Sequence, residues 1–109
     1  MKKLILTTAV LALLATPALL AEDAKVIYDA QCAKCHGADG KGETKMGKKL
    51  GAKDYSDPKV QAAVTDEAAF KAIKDGFKSK EDKVLMKPTE GVSDAEIKAV
   101  VAYMRTFKK

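Results

Sequence analysis

Residues 32 to 36 read Cys32-Ala33-Lys34-Cys35-His36 and hold both cysteines and the only histidine of a 109-residue chain. Two thiols separated by two residues on a helical turn point the same way, so they can add across the two vinyl groups of one haem while the next side chain reaches the iron. The run is a complete attachment half-site, with Cys32 and Cys35 as cofactor-binding residues and His36 as a metal ligand. The competing readings of the pair each lack something. A thioredoxin-like redox pair opens a helix within alternating strands, and no such strands flank this one. Structural zinc needs four ligands, and the chain supplies three candidates. A plain disulfide leaves the adjacent histidine unexplained.

The N-terminus predicts export. Met1-Lys2-Lys3 is a charged leader, Leu4 to Ala15 is apolar apart from Thr7 and Thr8, and Thr16-Pro17 breaks the helix ahead of a small residue at Ala21. The division that follows is a signal peptide over residues 1–21 and one domain over residues 22–109, with the periplasm as destination. The apolar stretch from Leu4 to Ala21 is close to the lower end of bilayer-spanning length, so retention as an anchor is the alternative to cleavage. Loss of Lys2 and Lys3 takes the formal charge from +5 to +3. A net charge this modest gives no argument for nucleic acid or a membrane surface as partner. Lys34, Lys41, Lys45, Lys48 and Lys49 crowd the first third of the mature chain and Lys87 lies near its far end, which reads either as a basic face around the site or as ordinary solvated lysine.

The elements that must position the motif read as helices. Asp23 is a candidate cap for a helix through Ala24, Ile27, Tyr28 and Gln31 that delivers the cysteines. Gly37, Gly40, Gly42 and Gly47 make residues 37 to 56 a loop. Asp57-Pro58 starts a short helix to about Val64. Another runs from Thr65-Asp66-Glu67, with Phe70 and Ile73 on one face, to Gly76. Ser93-Asp94-Ala95-Glu96 is a capping box, Val92 and Ile97 form a hydrophobic staple, and Ile97, Val100, Val101 and Met104 make an apolar stripe. With six aromatics and no tryptophan, the chain has little apolar material of its own, and a planar cofactor would supply buried contacts.

In this order of elements the chain resembles a class I cytochrome c. The resemblance rests on Tyr28 four residues before Cys32 with the small Ala24 a turn earlier, on Gly37-Ala38-Asp39-Gly40-Lys41-Gly42 after the motif, and on Met86-Lys87-Pro88 before the last helix. It implies an all-α fold of about four helices wrapped round one covalently bound haem c, with Ala24 and Tyr28 crossing the last helix at Val100 and Tyr103. It departs from the family pattern twice. No proline between Gly37 and Asp57 offers a carbonyl to the ligand histidine, so some other carbonyl is expected to serve. The tryptophan that commonly contacts a propionate is missing, and Tyr55 is either its substitute or a core aromatic.

For the second axial ligand, Met104 belongs to the apolar stripe, whereas Met46 and Met86 are both within geometric reach. The family position for the ligand is Met86. An iron held by His36 and Met86 is closed to substrate, which implies a soluble one-electron carrier and not an enzyme, monomeric, and meeting reductase or oxidase complexes at a haem edge rimmed by Lys34 and Lys87. The alternative is an accessible iron serving a gas sensor or peroxidase, suggested by the loose-looking stretch Lys78 to Lys83 just before Met86.

Overall fold

A computed structural model describes the backbone of residues 17–109 and the side chains of residues 23–109. The leader expected over residues 1–21, with cleavage after Ala21, falls outside the residues described in full. Among the described residues the elements are α1 (Pro17–Gln31), α2 (Ala33–His36), α3 (Lys45–Leu50), α4 (Pro58–Ala63), α5 (Asp66–Asp75), β1 (Phe77–Lys78), β2 (Val84–Met86) and α6 (Asp94–Arg105). None of these helices is long and apolar enough to cross a membrane.

Helix ends are set where short polar side chains can accept from the first free N–H groups. Asp57 accepts from the Lys59 amide ahead of α4, Thr65 from Ala68 ahead of α5, and Ser93 from Glu96 ahead of α6. Glu96 returns the bond to the Ser93 amide at 3.1 Å, completing the capping box. These three starts fall where the sequence placed them.

The core lies where α1 crosses α6. Ala24, Tyr28 and Val100 are fully buried and Ile97 nearly so, and Val101, Met104, Ala69 and Ile73 complete the cluster. Burying each of the larger side chains is worth about 1.5–3 kcal/mol. The Tyr28 and Tyr103 rings stand 5.4 Å apart, and Phe107 packs 5.1 Å from Tyr28, so the expected crossing of Ala24 and Tyr28 with Val100 and Tyr103 is present. Val92 packs against the same cluster, as the staple requires.

Four local expectations are corrected. Asp23 lies inside α1 and does not cap it, because Ala18 to Ala21 are good helix formers and extend the element back to Pro17. The chain also turns at Cys32, so the motif sits on a separate short helix, α2, rather than on the last turns of α1. The loop over residues 37 to 56 contains α3, capped by the Thr44 side chain at one end and by Gly51 in the left-handed conformation at the other. Gly47, a poor helix former, is there for contact: a β-carbon at that position would run into the Cys35 carbonyl. Finally, Lys78 to Lys83 is a hydrogen-bonded hairpin turn, with the Ser79 amide donating to the Lys83 carbonyl at 2.9 Å and the Asp82 amide to the Ser79 carbonyl at 3.0 Å. The paired strands β1 and β2 hold its ends. The fold is nonetheless the expected small helical one, with six helices among the described residues in place of about four.

Candidate haem site

Tyr28 is the link from the core to the motif. Its ring is fully buried, and its hydroxyl donates to the Gly37 carbonyl at 2.6 Å. Burial holds the phenol far above its ordinary pKa, so it remains a donor at any physiological pH. Between these residues the backbone folds tightly, with the Cys32 amide on the Tyr28 carbonyl at 2.8 Å and the His36 amide on the Cys32 carbonyl at 3.0 Å. From the other side Thr44 donates its hydroxyl to the Cys35 carbonyl at 2.7 Å while accepting from the Gly47 amide. The motif is thus held at both ends.

Cys35, His36 and Met86 line one cleft, which encloses about 810 Å³ of empty space, part of it open to solvent. One wall carries Ala63 at the end of α4 and Ala68, Ala69 and Ala72 on α5, with Leu85 and Phe77 from the hairpin. Small side chains on two helices leave an apolar space between them, open on one side to solvent. Cys32 packs against the helical core instead. Both cysteines are free thiols, and burial first, then the neighbouring Cys35, pushes Cys32 up to about 11. Met46 is outside the cleft lining, and Met104 is buried in the core.

His36 is buried, with Tyr55 against it at a ring separation of 5.3 Å. Burial lowers its pKa, which keeps the imidazole neutral and a lone pair free for a metal. Among the described residues no carbonyl takes the place of the missing proline's, and the Nδ1 atom has no hydrogen-bond partner there. The nearby loop instead uses its polar groups on the backbone, with the Gly42 amide donating to the His36 carbonyl at 2.7 Å. A buried polar atom without a partner costs about 1–3 kcal/mol. Together with an apolar cleft walled on one side by alanines and with a thioether in the same lining, a neutral buried imidazole fits a haem.

Sequence reasoning missed the network that holds Tyr55. Gln61, buried, donates through Nε2 to the Tyr55 carbonyl at 2.6 Å and to the Met104 carbonyl at 2.9 Å, and its Oε1 accepts from Arg105. Arg105 also donates to the Val64 carbonyl at 2.6 Å and to Asp66 at 2.8 Å. A buried glutamine has no periodic signature and could not have been found that way. The alanine wall had one, since residues 68, 69 and 72 share a face of α5 amid charged neighbours.

A small helical fold with a Cys-x-x-Cys-His turn opening on an apolar cleft defines a c-type cytochrome. The cytochrome c family model matches residues 21–108, and the chain belongs to that family. Among solved structures it is similar to the KustC0563 c-type cytochrome at 35% identity and a TM-score of 0.68, over 80% of this chain and 99% of that one. It is also similar to a tyrosine-to-phenylalanine variant of Kustc0563, at 33% identity and a TM-score of 0.65, over 79% and 99% respectively. A search of curated protein sequences found no match. The chain is accordingly a haem-based electron carrier, and Cys32, Cys35 and His36 fit the Cys-x-x-Cys-His motif of a haem c.

Proposed function

We propose that the protein is a soluble, exported one-electron shuttle with a single haem, attached through thioethers to Cys32 and Cys35 and ligated by His36 and Met86. The observation that carries this reading is the shared cleft of Cys35, His36 and Met86. When bound, the haem supplies a reversible one-electron couple at its iron. His36 presents a neutral nitrogen held by the motif's backbone, and Met86 presents a soft sulfur that favours the reduced state and raises the potential relative to two nitrogen ligands. Neither side chain needs to leave when the charge changes. The alanine wall and the Phe77 and Leu85 side chains limit water at the site, so little solvent must reorganise. Closed on both faces, the site has no place for substrate, and the chain is not an enzyme on this reading.

Partners would be larger redox proteins with acidic surfaces. Lys34 and Lys87 are exposed, and Lys53 lines the cleft mouth, which suits a weak, fast electrostatic encounter. Cleavage after Ala21 in the periplasm would leave a monomer of residues 22–109.

The test is the visible spectrum of the exported protein in both redox states, with and without carbon monoxide. The carrier reading expects low-spin spectra and no binding of the gas; a high-spin ferrous form that takes it up would sink the reading. Met86→Ala should open the site and lower the potential, and an unchanged spectrum would move the ligand to Met46.

A further inference from the structure

We propose that Gly76 is a positioning residue that holds the Met86 segment against the end of α5 and so keeps the thioether at its post; this rests on Met86 being the second axial ligand. Gly76 terminates α5 with φ +84° and ψ 174°, a region open essentially only to glycine. A β-carbon at position 76 would stand 2.7 Å from the Met86 carbonyl oxygen and 3.0 Å from Pro88 Cδ. Both obstacles are parts of the segment that bears the ligand, and a backbone carbonyl and a proline ring cannot swing aside as a flexible side chain would. Relief must therefore come from moving that segment off α5.

Two further contacts show that the segment is clamped there. Phe77, the residue after Gly76, pairs with Met86 across β1 and β2. Three residues beyond Met86, the Thr89 amide donates to the Ile73 carbonyl in the last turn of α5 at 2.8 Å. Met86 thus sits in a short bracket, tied at one end to β1 and at the other to α5, whose middle passes over the bare α-carbon of Gly76. The absent side chain at Gly76 is what lets the bracket close.

Three substitutions in the haem-loaded chain test this, read by the ferric sulfur-to-iron charge-transfer band, by the affinity of the ferric form for imidazole, and by the thermal midpoint. Gly76→Ala should lose the band and bind imidazole at least about tenfold more tightly, a shift equivalent to about 1.4 kcal/mol. Gly91→Ala is the control for strain alone, because Gly91 also has positive φ, +73°, but open space around it. It should lower the midpoint and keep the band. Pro88→Ala adds no atom and cannot collide, yet it slackens the bracket and should raise imidazole affinity several-fold. If Gly76→Ala lowers the midpoint as Gly91→Ala does, with band and affinity unchanged, the proposal is overturned. Should Gly76→Ala yield no holoprotein, unchanged imidazole affinity in Pro88→Ala overturns it instead. Met86→Ala separates the two levels. If that variant keeps the band, the ligand reading fails; if it loses the band while Gly76→Ala keeps it, only the positioning role fails.

Discussion

The hydroxyl of Tyr28 donates a 2.6 Å hydrogen bond to the carbonyl of Gly37, the residue that follows His36. One side chain therefore joins the α1–α6 crossing to the turn that carries the attachment motif. Tyr28→Phe keeps the ring and its contacts with Tyr103 and Phe107 but strands a buried carbonyl, which costs about 1–3 kcal/mol. In a chain of this size the thermal midpoint should fall by roughly 4–8 °C per kcal/mol. A midpoint unchanged in differential scanning calorimetry would show that the bond adds nothing.

Gln61 and Arg105 form the next test. Removing the Gln61 side chain strips the Tyr55 carbonyl of its donor and takes one bond each from the Met104 carbonyl, which keeps the Phe107 amide, and from Arg105, which keeps the Gln61 carbonyl. Gln61→Ala and Arg105→Met should each destabilise by about 1–3 kcal/mol, the scale for a buried polar group that loses its partner. Because the two side chains share one network, the double variant should cost less than the sum, which a double-mutant cycle by denaturant unfolding measures directly.

The alanine wall makes a steric prediction. Ala72 lines the cleft and is only partly buried, so Ala72→Leu fills space meant for the cofactor at a folding cost of about 1–3 kcal/mol or less. The ratio of haem absorbance to protein should fall well below that of the parent. Lys71→Leu, on the exposed side of the same helix, should leave that ratio intact. Equal haem content in the two variants would mean that the ring lies elsewhere.

His36 predicts the pH dependence. Burial lowers its pKa in the folded chain, whereas the unfolded chain takes up a proton near its ordinary value of about 6.5. Above that value the ring is neutral in both states and stability is greatest. As pH falls through it, the unfolded state gains protons that the folded state refuses, and stability declines until the folded value is passed. Since His36 is the only histidine, its ring resonances in proton NMR of the haem-free chain, where no iron holds the ring nitrogen, report the titration without ambiguity, and a raised value in the folded state would contradict the sign.

What the sequence made legible was local. Asp57, Thr65 and Ser93 could be read as helix starts because a cap reaches only two or three residues along the chain. α3 could not be read, because Gly47 counts against a helix on propensity and is justified only by its approach to the Cys35 carbonyl from a distant part of the fold. The start of α1 was misplaced for the opposite reason: Asp23 has the chemistry of a cap, but the alanines and leucines before it already carry the helix.

The motif from Cys32 to His36 was determined by sequence alone, since the spacing of two thiols and an imidazole within five residues is set by the backbone of one turn. Which methionine shares a cleft with that imidazole was decided only by the tertiary structure. Met46 and Met86 are equally reachable along an extended chain. The path of the intervening chain separates them: α5 ends at Gly76, the hairpin folds back on it, and Thr89 ties down the far side, so that Met86 lines the cleft with His36 while Met46 stays on α3 outside it.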